Sequence, residues 1–186
     1  MKLTELVDEL DRLLNINAIE DESANGLQVE GRAEVRRAGF AVDYSPELAV
    51  QAAADGVDLL FVHHGMIWGG LRHVRGVTLA YLKPLIEHGI SLYAAHLPLD
   101  VHPELGHNIQ MARLLELKDP APVIDYKGAP IGILGCTGEA VTRDQVLAKI
   151  RATISCDVHF RPFGPERVSR VAIVSGGGWQ HDTLTE

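Results

Sequence analysis

Residues 57–65 read VDLLFVHHG and residues 90–100 read ISLYAAHLPLD. Each stretch is a short apolar run closed by histidine, without the polar alternation of a strand that has one wet face. Such runs suit strands buried on both sides, as in a parallel sheet covered by helices. Between them, residues 77–88 carry a helical pattern that stops before Gly89, and Pro84 predicts a kink or break inside it. A strand over 57–62, a helix and a strand over 90–95 make a βαβ unit, whose strands run parallel.

The same rhythm extends outward. Residues 38–42 (AGFAV) read as another buried strand, followed by a helix over 46–55 with Ser45 as N-cap and Pro46 at its first position. Leu3, Leu6, Val7, Leu10, Leu13 and Leu14 form the stripe of an amphipathic first helix that begins at Leu3 or Thr4. Residues 21–31 (DESANGLQVEG) form a loop with a short strand at 27–29, and residues 107–117 a third helix of the repeating pattern. Residues 118–130 (KDPAPVIDYKGAP), with prolines at 120, 122 and 130, read as a linker. Beyond them come a strand over 131–136, a helix over 142–154 opened by a capping box of Thr142 with Gln145, and strands over 157–161 and 171–175. The expected fold is α/β: a mostly parallel βαβ sheet lobe over 1–117, the linker, and a smaller αβ lobe over 131–186.

Composition excludes several classes. The 186 residues suit one domain or one with an appendage. With 46% hydrophobic and 23% charged residues the chain is not disordered, and two cysteines are far too few for a disulfide scaffold. A formal charge of −8, from 25 acids against 17 bases, argues against a nucleic-acid grip by bulk charge, and Arg32, Arg36 and Arg37 read as a solvated face. Acids in the first helix exclude a targeting peptide, and no apolar run approaches the ~18 residues of a membrane span. Cys136 and Cys156 read as buried reduced thiols, so the expected compartment is the cytoplasm.

Nine histidines are the unusual feature of the composition. His63–His64–Gly65 follows one predicted strand and His96, with Asp100 four positions on, follows the next. Ligands of open α/β sheets bind beyond the carboxyl ends of the strands, so topology brings together clusters about 33 residues apart. Imidazole with carboxylate suits zinc, manganese, iron or nickel, whereas calcium prefers oxygen alone. Adjacent histidines on an ideal strand point to opposite faces; a turn at Gly65 would aim both outward, an arrangement better suited to two neighbouring ions than to one, with Asp100 able to bridge. His73, in the loop GGLRHVRG, reads as solvated and placed to close over the site, and His88 as a helix-end residue. His102 and His107 are candidates to support the site or meet substrate, and His159 and His181 read as exposed. A glycine run at 176–178 offers amides for a phosphate, without a following helix to support it. Ser45 and Ser175 have no histidine partner in sequence.

FVHHGMIWGG (61–70), AAHLPLD (94–100) with GHN (106–108), the early NGLQVEG (25–31) and the late VAIVSGGG (171–178) together resemble the Nif-three-like family, whose members carry the label GTP cyclohydrolase 1 type 2 homologue. The resemblance implies a two-lobed α/β protein assembled as a hexamer, with two divalent ions in each subunit. By motif it assigns His63, His64 and Asp100 as metal ligands, places His96 beside the metals, and matches Asn25-Gly26-Leu27 to an early family turn. The family pattern also has a GHxxxE-like pair near its C-terminus. Here His181 and Glu186 stand five apart with Gln180 before them, so the chain reads as cut off ahead of that pair, with a site short of donors.

Two functions follow as expectations. One is a dinuclear-metal hydrolase of a nucleotide or phosphorylated small molecule, with His96 or His107 moving a proton. The other is a non-enzymatic metal-binding or scaffolding module with an incomplete site. The homo-oligomer is what the resemblance implies, the expected partner is a nucleotide-like small molecule, and hydropathy and charge argue against membrane or nucleic-acid partners.

Overall fold

The computed structural model describes residues 1–177. The protein is α/β, and its chain divides into two compact units, Met1–Leu99 and Asp100–Glu186. The glycine at 178 and the residues His181 and Glu186 singled out in the sequence lie outside the described residues.

The first unit contains α1 (Leu3–Leu14), β1 (Gly26–Val29), β2 (Ala38–Asp43), α2 (Pro46–Ala54), β3 (Leu59–His64), α3 (Val77–His88) and β4 (Ser91–Ala94). Its sheet runs β1-β4-β3-β2, with β2, β3 and β4 parallel and β1 an antiparallel edge. Side chains alternate across a strand, and the core divides by that rule. Leu60, Val62, Leu92 and Ala94 pack with Ala49, Ala52 and Leu85 of α2 and α3. Leu59, Phe61, Tyr93 and Ala95 pack on the other face with Leu3, Leu6, Val7, Leu10 and Leu14 of α1. Leu13 is left 48% exposed. On the α1 face the register aligns Phe40, Phe61 and Tyr93; Phe61 and Tyr93 stack at 5.4 Å. The Tyr93 hydroxyl donates to Asp11 at 2.7 Å, and burial, reinforced by that carboxylate, pushes its pKa above the ordinary tyrosine range.

Burial on both faces holds for β3 and β4 but not for the edge strand β2, where Phe40 and Val42 are 77% and 61% exposed. Helix α2 begins as read, with the Ser45 hydroxyl accepting from the Leu48 amide. Helix α3 continues through Pro84 to His88. Strand β3 starts and ends two residues later than expected, so His63 and His64 belong to the strand itself.

The short helix α4 (Leu97–Asp100) leads into the second unit, which holds α5 (His107–Leu114), β5 (Lys118–Tyr126), β6 (Ala129–Thr142), α6 (Arg143–Thr153) and β7 (Arg167–Val174). Its sheet, β5-β6-β7, is antiparallel throughout. Residues 118–126 are therefore a strand and not a linker. Prolines mislead here because β5 is an edge strand, where a missing N–H costs no ladder bond. Lys127 and Gly128, both at positive φ, turn the chain into β6, the backbone a two-residue hairpin needs. Residues 157–161 form no strand; β6 pairs instead with β7, which begins at Arg167. The capping box of Thr142 with Gln145 is present. Asn108 links helix to sheet edge: its Nδ2 donates to the Ile131 carbonyl at 2.8 Å and its Oδ1 accepts from the Ser175 amide at 2.6 Å. Both cysteines are free thiols, but Cys136 is only half-buried and Cys156 is exposed, which corrects the expectation of two buried ones.

Gly31 decides how the early chain seats against β4. A Cβ there would lie 2.5 Å from the Gly89 carbonyl oxygen and 2.6 Å from the Ser91 nitrogen. The close approach allows the Gly31 amide to donate to Ser91 Oγ at 3.0 Å and the Arg32 amide to the Gly89 carbonyl at 3.0 Å. Since backbone cannot yield as a side-chain tip can, Gly31→Ala should cost about 2–4 kcal/mol of stability, measured by chemical denaturation.

Candidate metal centre

The carboxyl end of β3 lies between β4 and β2, and its two histidines lean on those neighbours. His63, 8% exposed, continues the α1 face; its Nδ1 donates to the Ala95 carbonyl just beyond β4 at 2.8 Å. His64 continues the opposite face, and its Nδ1 meets Asp43 Oδ1 at 2.7 Å. Asp43 is the last residue of β2 and is in register with His64. The rings are 4.5 Å apart. Divergence along the strand thus becomes convergence at its end, without the expected turn at Gly65.

His96 joins them, its ring 5.0 Å from His63 and 5.4 Å from His64. Its Nδ1 contacts both oxygens of Asp21, at 3.0 and 2.9 Å. Asp21 also accepts from Leu97 N at 3.1 Å, Ser23 N at 3.1 Å and Asn25 Nδ2 at 2.9 Å, while Asn25 Oδ1 accepts from His96 N at 2.7 Å. The Asp21 side chain is 5% exposed. Burial opposes its ionisation, but the bonds from His96, Asn25, Ser23 and Leu97 outweigh that cost and hold its carboxyl well below the usual carboxylate range. Ionised Asp21 can only accept, so His96 Nδ1 carries the proton. A carbonyl oxygen imposes the same tautomer on His63.

Each of the three imidazoles therefore commits Nδ1 to a carbonyl or carboxylate, so Nε2 is the ring nitrogen each could offer to a cation or a proton. That is the support metal-ligating histidines use. One ligand atom from each of His63, His64 and His96 lies within 4.8 Å of the others, whereas nitrogens around one zinc ion stand ~3–4 Å apart. The donor set fits a borderline divalent cation with little rearrangement.

A loop closes one side. Trp68 stands edge-on to His96 at 5.0 Å and 6.0 Å from His64, with its Nε1 donating to the Gly65 carbonyl at 3.0 Å. Gln28 braces the segment after the histidines: its Oε1 accepts from the amides of Met66 and Ile67 at 2.8 and 3.1 Å. A Cβ on Gly65 would fall 2.3 Å from that oxygen, so a larger residue there would displace the Gln28 carboxamide from these two amides.

In the second unit, Asp100 and His107 form a pair, Oδ1 to Nδ1 at 2.7 Å. His102 Nδ1 accepts from the amides of Glu104 and Leu105 at 3.2 and 3.0 Å, so that nitrogen organises a turn. His73, His88 and His159 are exposed. Asp21 and Asp43 were not singled out in the sequence. Asp43 was legible only through the parallel register, and Asp21 carried no signal, since it supports a histidine 75 positions away.

The depressed pKa of Asp21 has a pH consequence. Its stabilisation is fully present above the unfolded aspartate pKa, about 3.9, and fades as pH falls through the lower folded value. Asp21→Asn should therefore be less stable than wild type at neutral pH, with the gap closing below about pH 4. Thermal melts across pH 2–7 would read this.

Residues 1–184 match the family described as Duf34/NIF3 (NGG1p interacting factor 3). The chain is 44% identical over 179 residues to a Pyrococcus horikoshii protein named GTP cyclohydrolase 1 type 2 homolog, covering 96% of this chain and 72% of that one. Among solved structures, TTHA1606 from Thermus thermophilus superposes with a TM-score of 0.83 at 38% identity, over 96% of this chain and 72% of the other. Reduced HcgD from Methanocaldococcus jannaschii gives 0.85 at 27% identity, over 99% and 73%. No helix among the described residues is long and apolar enough to cross a membrane. With three imidazoles clustered at the end of a parallel sheet and a match along nearly its whole length, the chain belongs to the Duf34/NIF3 family.

Proposed function

We propose that this protein is a metal-dependent hydrolase of a nucleotide or phosphorylated small molecule, working through a dinuclear centre of zinc, manganese, iron or nickel type. The observation that supports it most is the clustering of three imidazoles, His63, His64 and His96, each with Nδ1 spent on an acceptor, the support that metal-ligating histidines use. His63 and His64 would hold ions through Nε2, with Asp100 keeping the ligand role that the family resemblance implies. A bound ion would supply electrophilic assistance and lower the pKa of a coordinated water.

Asp21 fixes the His96 ring and balances positive charge on it, so His96 Nε2 can take up and return a proton at the reacting side. His107, paired with Asp100, is a second proton carrier on the same principle. Asp43 orients the His64 ring. Trp68 limits water on one side of the imidazoles. Cytoplasmic residence and a homo-oligomer, hexameric as the family resemblance implies, belong to the same proposal.

After reloading with manganese, zinc or iron, turnover of a nucleotide panel with release of a hydrolysis product is expected. His64→Ala should reduce both the bound metal, by elemental analysis, and the rate, by at least ~100-fold. Asp43→Asn should retain the fold but bind metal about 10–100-fold more weakly. His96→Ala should lower the rate and keep the metal; loss of metal would reassign His96 as a ligand. No turnover by the loaded protein, with an unchanged His64→Ala variant, would defeat the enzymatic assignment. A chelator-induced fall in melting temperature without turnover would instead support a structural, non-enzymatic ion.

A further inference from the structure

The loop after Trp68 carries a cationic group that neither the fold nor the imidazole cluster uses. An open cleft of about 550 Å³ is lined by Trp68, Gly70, Arg72, His73, Arg75 and Thr78. The first unit has six arginines. Arg12, Arg32, Arg36 and Arg37 are engaged by Glu9, Asp58, Glu34 and the Asp55 carbonyl. Among the described residues no carboxylate meets Arg72 or Arg75, and both are exposed. In a chain of net charge −8, the two arginines of this unit left outside such pairings therefore share one cleft.

That cleft adjoins the candidate centre through Trp68, which lines it and also stands 5.0 Å from His96. The indole is fixed by its bond to Gly65, and the loop is tied down by Gly69 N donating to the Glu22 carbonyl at 2.8 Å and by a bridge between Ser23 and Trp68. The loop's anchored end thus connects to the same 21–25 segment that holds His96.

We propose that Arg72 and Arg75, assisted by His73, bind the phosphate of a small phosphorylated substrate and so set substrate class for the neighbouring imidazole site. This rests on the hydrolase assignment above and specifies it. Guanidinium groups suit the role because their planar donor pairs match phosphate oxygens two at a time. Two such groups favour a phosphate ester or anhydride over a neutral substrate. Trp68 offers an apolar surface between the phosphate and the histidines, where the uncharged part of the substrate would lie.

The test is calorimetric titration of the full chain, as purified, with GMP and with guanosine. Wild type should bind GMP at least tenfold more tightly than guanosine. Arg72→Gln/Arg75→Gln should reduce that ratio to below threefold while retaining wild-type metal content and melting temperature. Arg72→Lys/Arg75→Lys should restore part of it, and Arg36→Gln, a control that removes one charge elsewhere on the unit, should leave it intact. An unchanged ratio in the double glutamine variant, or no preference for GMP in wild type, would overturn the assignment. Tighter binding of a single-stranded oligonucleotide than of GMP would overturn it too, by giving the arginines to a nucleic-acid backbone. Failure of the hydrolase assignment would appear separately, as absent turnover with the phosphate preference and its loss in the double variant preserved.

Discussion

The burial of β3 and β4 between two layers of helices is what the remainder of the first unit depends on. Each strand sends alternate side chains to α1 on one side and to α2 and α3 on the other. A one-residue slip in either strand would exchange the two sets and strand polar or oversized groups on both faces. Register is therefore strongly specified, and with it the level at which each strand ends. His63, His64 and His96 meet because β3 and β4 are held at matched heights by apolar packing on both faces.

Specificity of the histidines' orientation comes from a different source. Hydrophobic packing places a ring but does not choose its tautomer. That choice is made by three acceptors from three separate segments: the Ala95 carbonyl beyond β4, Asp43 at the end of β2, and Asp21 in the loop before β1. Asp21 does most, because it also receives Asn25 and the Leu97 and Ser23 amides, so that loop, histidine and backbone are secured by one buried carboxylate. A buried charge of this kind is tolerable only when its oxygens are saturated with donors, and here they are.

The second unit shows the limits of pattern reading. Its strands were misplaced where local signals conflict with sheet position. Prolines at 120 and 122 imitate a linker, yet an edge strand accepts them. The apolar fragment at 131–136 is only part of a fourteen-residue strand, because pairing with β7 resumes at Val141 and Thr142 after an irregular stretch whose polar residues carry no apolar periodicity. Conversely, the capping box at Thr142 was correctly legible, since capping is decided by residues three apart.

By itself the sequence determined the α/β class, the parallel core strands, the first helix to within a residue of its start, the helix start at Pro46, and the family, because these depend on short-range periodicity and on ordered motifs. It also determined that His63, His64 and His96 share one sheet edge, since strand order in a βαβ unit is a topological matter. Only the tertiary structure decided which carboxylates support them, that Gly31 is needed for room, and that Arg72 and Arg75 share a cleft adjoining Trp68. Those outcomes depend on contacts between segments remote in the chain, on register and on the space left after packing, and no local pattern of residues encodes any of the three.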